Sequence, residues 1–321
     1  MNKVKNISPK DLLVRKRKKQ PLKDFRLDFI GVGFPRCGTT WAAHILRQHP
    51  EICFSKVKEV KFFNKYTFSG TLNTSFEKGL AYYRSFWPDP LPQNKKLGEF
   101  TPLCMDEDAP KKIRQLFPDA KIIIFMKNPV DKAFSHYFGS KLYSSENMSF
   151  EDALEKDRSI MRRMNYYKEL KYYYDTFPAE QLGVFLLEDV KDNPYKIAEE
   201  LYRFIGVHSS FRPDVTPQNK TPAIRYRKLN ALKNFLFNLP IKTAHAIRPV
   251  MGERVFIKLS NSSMVKAYDS TRRKVSRMFQ VDAKKPAIDP ETRKQLYLHF
   301  KDEIDDIQRL TGKDLSCWKE G

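Results

Sequence analysis

The stretch with the clearest chemical potential is Phe29-Ile-Gly-Val-Gly-Phe-Pro-Arg-Cys-Gly-Thr-Thr-Trp41. Its apolar start reads as a strand, Gly33 to Gly38 as a tight loop, and Thr39 onward as a helix. Such a loop aims backbone N–H groups and a helix dipole at an anion. The ATP-binding form places Lys directly after the second Gly. Here Thr39 stands in that place, and the basic residue, Arg36, lies inside the loop. A triphosphate and its magnesium are poorly served by this set. One phosphate or sulfate group, held by N–H groups, Thr39, Thr40 and Arg36, fits it better. An ordinary glycine turn would explain the glycines, but not strand, cation and helix arriving together.

Two further stretches carry charge in telling places. In Ile122–Tyr137 an apolar run meets Lys127-Asn128-Pro129, and a helical segment follows with Ser135 in it. A cation at a strand end and a hydroxyl near a helix start can converge on one dianion. Taken alone, Asn-Pro is a common turn. In Lys58-Glu-Val-Lys-Phe-Phe-Asn64, residue chemistry alone suggests a surface Glu between lysines, ahead of a buried Phe pair.

The elements that must position these residues alternate. Asp28–Gly33, Lys121–Met126 and Gln181–Leu187 read as strands, and Thr39–Gln48 and Lys111–Phe117 as helices. A last helix is capped by Asp289, carries Pro290 in its first turn and ends at Gly312. Its apolar positions Leu296, Phe300, Ile304, Ile307 and Leu310 share one face. Alternation of this kind implies an α/β fold with a central, mostly parallel sheet of about five strands flanked by helices.

Composition narrows the function classes. The chain has 321 residues, 41% hydrophobic and 13% aromatic, which is too apolar for disorder. No apolar run approaches a membrane span. The N-terminal charges precede only Leu12–Val14, so no signal peptide is expected. Cys37, Cys53, Cys104 and Cys317 lack metal-type spacing, which points away from structural zinc and towards a reducing cytoplasm. Net charge is +21, and two segments hold it. Residues 1–23 carry nine basic residues against Asp11, and 216–288 carry sixteen against Glu253, Asp269 and Asp282. We expect 1–24 to be a flexible basic tail, 25–321 one domain, and 216–288 a basic helical or loop lid. The excess suits an anionic ligand or an anionic surface. No nucleic-acid fold signature accompanies it.

GFPRCGTTW resembles the 5′-phosphosulfate loop of the PAPS-dependent sulfotransferases, PAPS being 3′-phosphoadenosine 5′-phosphosulfate. The resemblance implies a single P-loop-like domain and makes Pro35, Arg36, Cys37, Gly38, Thr39, Thr40 and Trp41 the donor cradle. The second stretch resembles the family's 3′-phosphate block and implies Lys127 and Ser135 as ligands there. Lys127 replaces the usual Arg and loses its bidentate fork. The third resembles the Glu-x-x-Phe-Phe segment of bacterial and heparan-sulfate-like members. That implies Glu59 as general base, with Lys61 polarising the sulfuryl group or holding the acceptor. Gly98-Glu-Phe-Thr-Pro102 resembles an active-site segment in which many members have Lys for Phe100. Arg225, or the nearby Arg227, resembles a late basic residue that closes over the nucleotide. The likeness runs over about residues 27–318 and continues through Tyr166, Leu187–Asp189 and Thr311–Trp318.

The implied reaction is sulfuryl transfer from PAPS to an acceptor hydroxyl, with an amine less favoured, releasing PAP without a metal. His136 is an alternative base, better explained by packing. The expected partner is the acceptor, with peripheral contact to anionic membrane and no nucleic acid. A nucleotide kinase is the rival on the same loop. It predicts Lys at position 39 and an acidic magnesium ligand at a strand end, where this chain has Thr39 and Lys127. A non-catalytic binder of anionic membrane or nucleic acid is the rival of another class.

Overall fold

The computed structural model describes residues 25–66, 72–102, 106–141, 148–157, 160–161, 164–217, 222–224, 268, 270–271, 275, 280–282 and 287–319. Five of the described strands are β1 (Phe29–Gly31), β2 (Ile52–Phe54), β3 (Lys96–Phe100), β4 (Lys121–Met126) and β5 (Leu182–Leu186). They make one sheet in the order β2-β3-β1-β4-β5, and every pair is parallel. Residues Ile122 to Met126 are fully buried, as a parallel strand covered on both faces requires.

Between and after the strands come α1 (Thr39–Gln48), α2 (Gly79–Arg84), α3 (Ala109–Leu116), α4 (Pro129–Lys141), α5 (Phe150–Lys156), α6 (Tyr167–Tyr174), α7 (Leu187–Asp192), α8 (Pro194–Ile205) and α9 (Pro290–Thr311). The expected α1 and β4 have the observed bounds. The helix expected at Lys111 begins earlier, at Ala109, because Pro110 is well tolerated in a first turn. In α9, Asp289 Oδ2 accepts the Thr292 N–H at 2.9 Å and Gly312 closes the helix at φ 65°. Leu296, Phe300, Ile304 and Ile307 are buried, and Leu310 is half-buried. Arg293 ties this helix to α4 through Asp131, 2.7 Å away. No described helix is long and apolar enough to cross a membrane.

The topology fixes where a ligand can sit. The chain moves from β1 out to the edge strand β2, returns to β3 between them, then crosses β1 to β4 and β5. In such a sheet the crevice at the carboxyl ends, where the order reverses, is the binding place. The loops after β1, β2, β3 and β4 carry Arg36, Glu59, Thr101 and Lys127 respectively.

β1 and β3 each place a glycine opposite a phenylalanine, and the ring occupies the space a side chain would need. Phe29 pairs with Gly98 and Gly31 with Phe100. A Cβ on Gly31 would lie 2.2 Å from the Phe100 ring, and one on Gly98 would lie 2.2 Å from the Phe29 ring. Gly31→Ala is therefore expected to destabilise the fold by about 1–3 kcal/mol or more. A lowered urea midpoint would show it, and an unchanged midpoint would contradict the packing.

The tail 1–24 and most of 216–288 lie outside the described residues. Pro222–Ile224 and Gln280–Asp282 pair as an antiparallel two-stranded sheet, so the chain at 280 returns to where it stood at 224.

Candidate active site

Beyond β1 the chain stays against β4. Val32 N–H donates to Ile123 O (2.9 Å) and Phe34 N–H to Phe125 O (3.2 Å). The loop then turns sharply, with Arg36 at φ 68° and Gly38 at φ 92°. Buried Phe34 and Cys37 anchor it, while Pro35 and Arg36 are exposed. α1 starts at Thr39 with no side-chain hydrogen bond at its N-cap and no acid in its first turn. Its leading N–H groups thus present donors and a positive helix end to the loop. Thr39 and Trp41 are buried and Thr40 is half-buried.

The second loop follows β4. Lys127, Asn128 and Ser135 are buried. Asn128 shapes the turn: its Oδ1 accepts the Val130 N–H (2.9 Å), its N–H donates to Glu188 Oε1 (3.0 Å), and its Nδ2 donates to Trp318 O (3.2 Å). Trp318 is thus tied to this turn. Burial pushes the Lys127 ammonium down, against the pull of Asp131 and Glu188. His136 is half-buried on α4.

Tyr166 joins the two loops. Its hydroxyl donates to Lys127 O at 2.8 Å and lies 3.5 Å from Cys37 Sγ. Burial pushes the Cys37 thiol up, although Lys132 and Lys127 oppose the shift. Cys37 is accordingly a protonated packing residue rather than a nucleophile. The Lys132 ammonium lies 4.4 Å from the Phe34 ring centroid and 4.0 Å from that of Tyr166.

The third loop follows β2. Val60, Phe62 and Phe63 are buried, and the Phe62 ring stacks on Tyr83 at 4.5 Å. Glu59 and Lys61, beside this anchor, are half-buried and both left-handed, at φ 64° and 58°. Glu59 Oε1 accepts from Lys58 Nζ at 2.9 Å, and Lys61 Nζ lies 3.5 Å from Oε2. Burial pushes the Glu59 carboxyl up, but the two lysines outweigh it and hold the group below the ordinary carboxylate range.

Residues 26–308 match the profile of the sulfotransferase domain family. The chain belongs to that family. Among curated proteins it is 26% identical over 202 residues to bifunctional heparan sulfate N-deacetylase/N-sulfotransferase 2 of Homo sapiens, covering 56% of this chain and 22% of that one. It thus spans about a fifth of the length of such relatives. It is 27% identical over 332 residues to membrane-associated sulfotransferase kil1 of Dictyostelium discoideum, covering 72% of this chain and 68% of that one. In fold it is similar to a sulfotransferase from Alicyclobacillus acidocaldarius, with a TM-score of 0.62, 22% identity and coverage of 92% and 100%.

In this sulfotransferase-family chain, Phe100 is a core residue packed against Gly31. Arg225 and Arg227 lie outside the described residues. The segment leading to them is described and was not anticipated. His49 Nε2 bonds His208 O (2.9 Å), Gln48 Nε2 donates to Asp214 O (3.0 Å), and Trp41 Nε1 donates to Val215 O (3.1 Å). Residues 208–215 therefore run back along α1 and deliver the start of the basic segment to the N-terminal end of the helix.

Proposed function

We propose that this chain moves the sulfuryl group of PAPS to an acceptor hydroxyl and releases PAP. The observation that carries the reading is backbone strain. Four non-glycine described residues have positive φ: Arg36, Glu59, Lys61 and Asn94. Three of them are the residues that sequence reasoning marks for the reaction. Such conformations cost about 1–3 kcal/mol each, persist only where the surroundings enforce them, and cluster at active sites.

In this reading Glu59 accepts the proton of the acceptor hydroxyl. The acceptor oxygen bonds to sulfur as the bond from sulfur to the 5′-phosphate oxygen breaks, and that oxygen keeps the electron pair. Arg36 and the loop N–H groups stabilise the charge growing there. Pro35, Cys37, Gly38, Thr39, Thr40 and Trp41 shape the cradle, and the acid-free first turn of α1 suits an anion. Lys127 and Ser135 hold the 3′-phosphate, and Lys61 contacts the sulfuryl group or the acceptor. Arg225 would close over the nucleotide from the basic 216–288 lid. An amine acceptor is the second reading, favoured by the likeness to N-sulfotransferases. Competition between amine- and hydroxyl-bearing sugars would separate the two. A cytoplasmic place belongs to the same reading, with membrane contact through the basic segments.

Thermal melting tests the donor. PAP at about a hundredfold excess over its Kd is expected to add about 2.7 kcal/mol without magnesium. ATP is expected to add little. Greater stabilisation by ATP with magnesium would favour a kinase and overturn the reading.

A further inference from the structure

We propose that Glu99 is the positioning residue for the base loop: with Thr101 it holds the Glu59–Lys61 backbone in the left-handed turn that presents the Glu59 carboxylate. The proposal rests on Glu59 being the base. Three successive residues at the end of β3 receive three successive N–H groups. Glu59 N–H donates to Phe100 O (3.1 Å), Val60 N–H to Glu99 Oε2 (3.3 Å) and Lys61 N–H to Thr101 Oγ1 (3.4 Å).

Positive φ at residues 59 and 61 takes this segment out of strand geometry. The backbone carbonyls of β3 serve only the first N–H, and side chains supply the other two acceptors. Glu99 is itself fixed from both sides. Tyr83 OH donates to its Oε1 (2.8 Å) and Thr101 Oγ1 to its Oε2 (2.6 Å). The residue is 0% exposed, so an acceptor cannot reach it, which makes it a positioning group and not a second base. A buried carboxyl is expensive unless every oxygen is engaged. This one has donors on both oxygens, and one of them comes from the strained loop. Burial pushes the Glu99 carboxyl up, and Glu59 adds to that push while Thr101 and Tyr83 oppose it. The two carboxyl groups are therefore electrostatic neighbours.

The test is a double-mutant cycle in kcat, with PAP affinity and PAP-dependent melting read on every variant. Glu99→Ala is expected to lower kcat by about 10- to 100-fold, the scale of a misplaced catalytic group. KM for PAPS and PAP affinity should stay within about twofold. Glu99→Gln, which keeps a carbonyl for the Val60 N–H, should recover most of kcat. In a Glu59→Gln background, Glu99→Ala should cost nothing further, because both act through one group. Thr101→Val removes the acceptor for Lys61 N–H and repeats the kcat-only loss should Glu99→Ala fail to fold. Wild-type kcat in folded Glu99→Ala or Thr101→Val, or equal losses in both backgrounds, overturns the positioning role. Wild-type kcat in Glu59→Gln overturns instead the base assignment beneath it.

Discussion

Glu59→Gln is expected to lower kcat by about two to four orders of magnitude, the usual contribution of a general base. The exchange is nearly isosteric. Gln keeps an acceptor for Lys58, and the backbone bond from residue 59 to Phe100 O does not involve the side chain. Val60, Phe62 and Phe63 anchor the loop independently of the carboxylate. Folding and PAP binding should therefore survive, and the loss should fall on kcat. Transfer at near the wild-type rate by folded Glu59→Gln would remove Glu59 from the chemistry.

Arg36→Ala is expected to lower kcat by about two to three orders of magnitude, the scale of losing one donor to a developing oxyanion. Both residues are L-amino acids at φ 68°, so the strain in the loop stays and only the guanidinium goes. Arg36 is exposed, so no cavity is opened. Steady-state kinetics with labelled PAPS would read the change. The loss should exceed that in PAP affinity, since the charge it meets grows as sulfur leaves the bridging oxygen. A loss confined to KM would make Arg36 a binding residue alone.

Legibility in the sequence followed the range of the contacts. The loop after β1 is local, so Gly33, Arg36, Gly38 and the start of α1 could be read together. β4 was legible because its six residues form one apolar run. β2 and β3 were not. Ile52–Phe54 is too short to carry a period, and Lys-Leu-Gly-Glu-Phe looks like a loop. Its glycine exists for the Phe29 ring and its glutamate for Tyr83, Thr101 and Val60, all fixed by tertiary contact. The bond from Tyr166 to Lys127 O spans 39 residues and the contact with Cys37 spans 129. No local pattern announces either one. A motif can nominate Glu59, but only the fold brings the end of β3 against its backbone.

The most direct test of Glu59 as the ionised base is kcat against pH at saturating PAPS. Working at saturation keeps the free 3′-phosphate, which titrates near ~6, out of the profile. With its carboxyl held low by Lys58 and Lys61, Glu59 stays ionised as pH falls from neutrality. The predicted kcat is level down to the carboxylate range and declines only below about 4.3. A decline centred near about 6.5 would assign the proton to a histidine and contradict the mechanism.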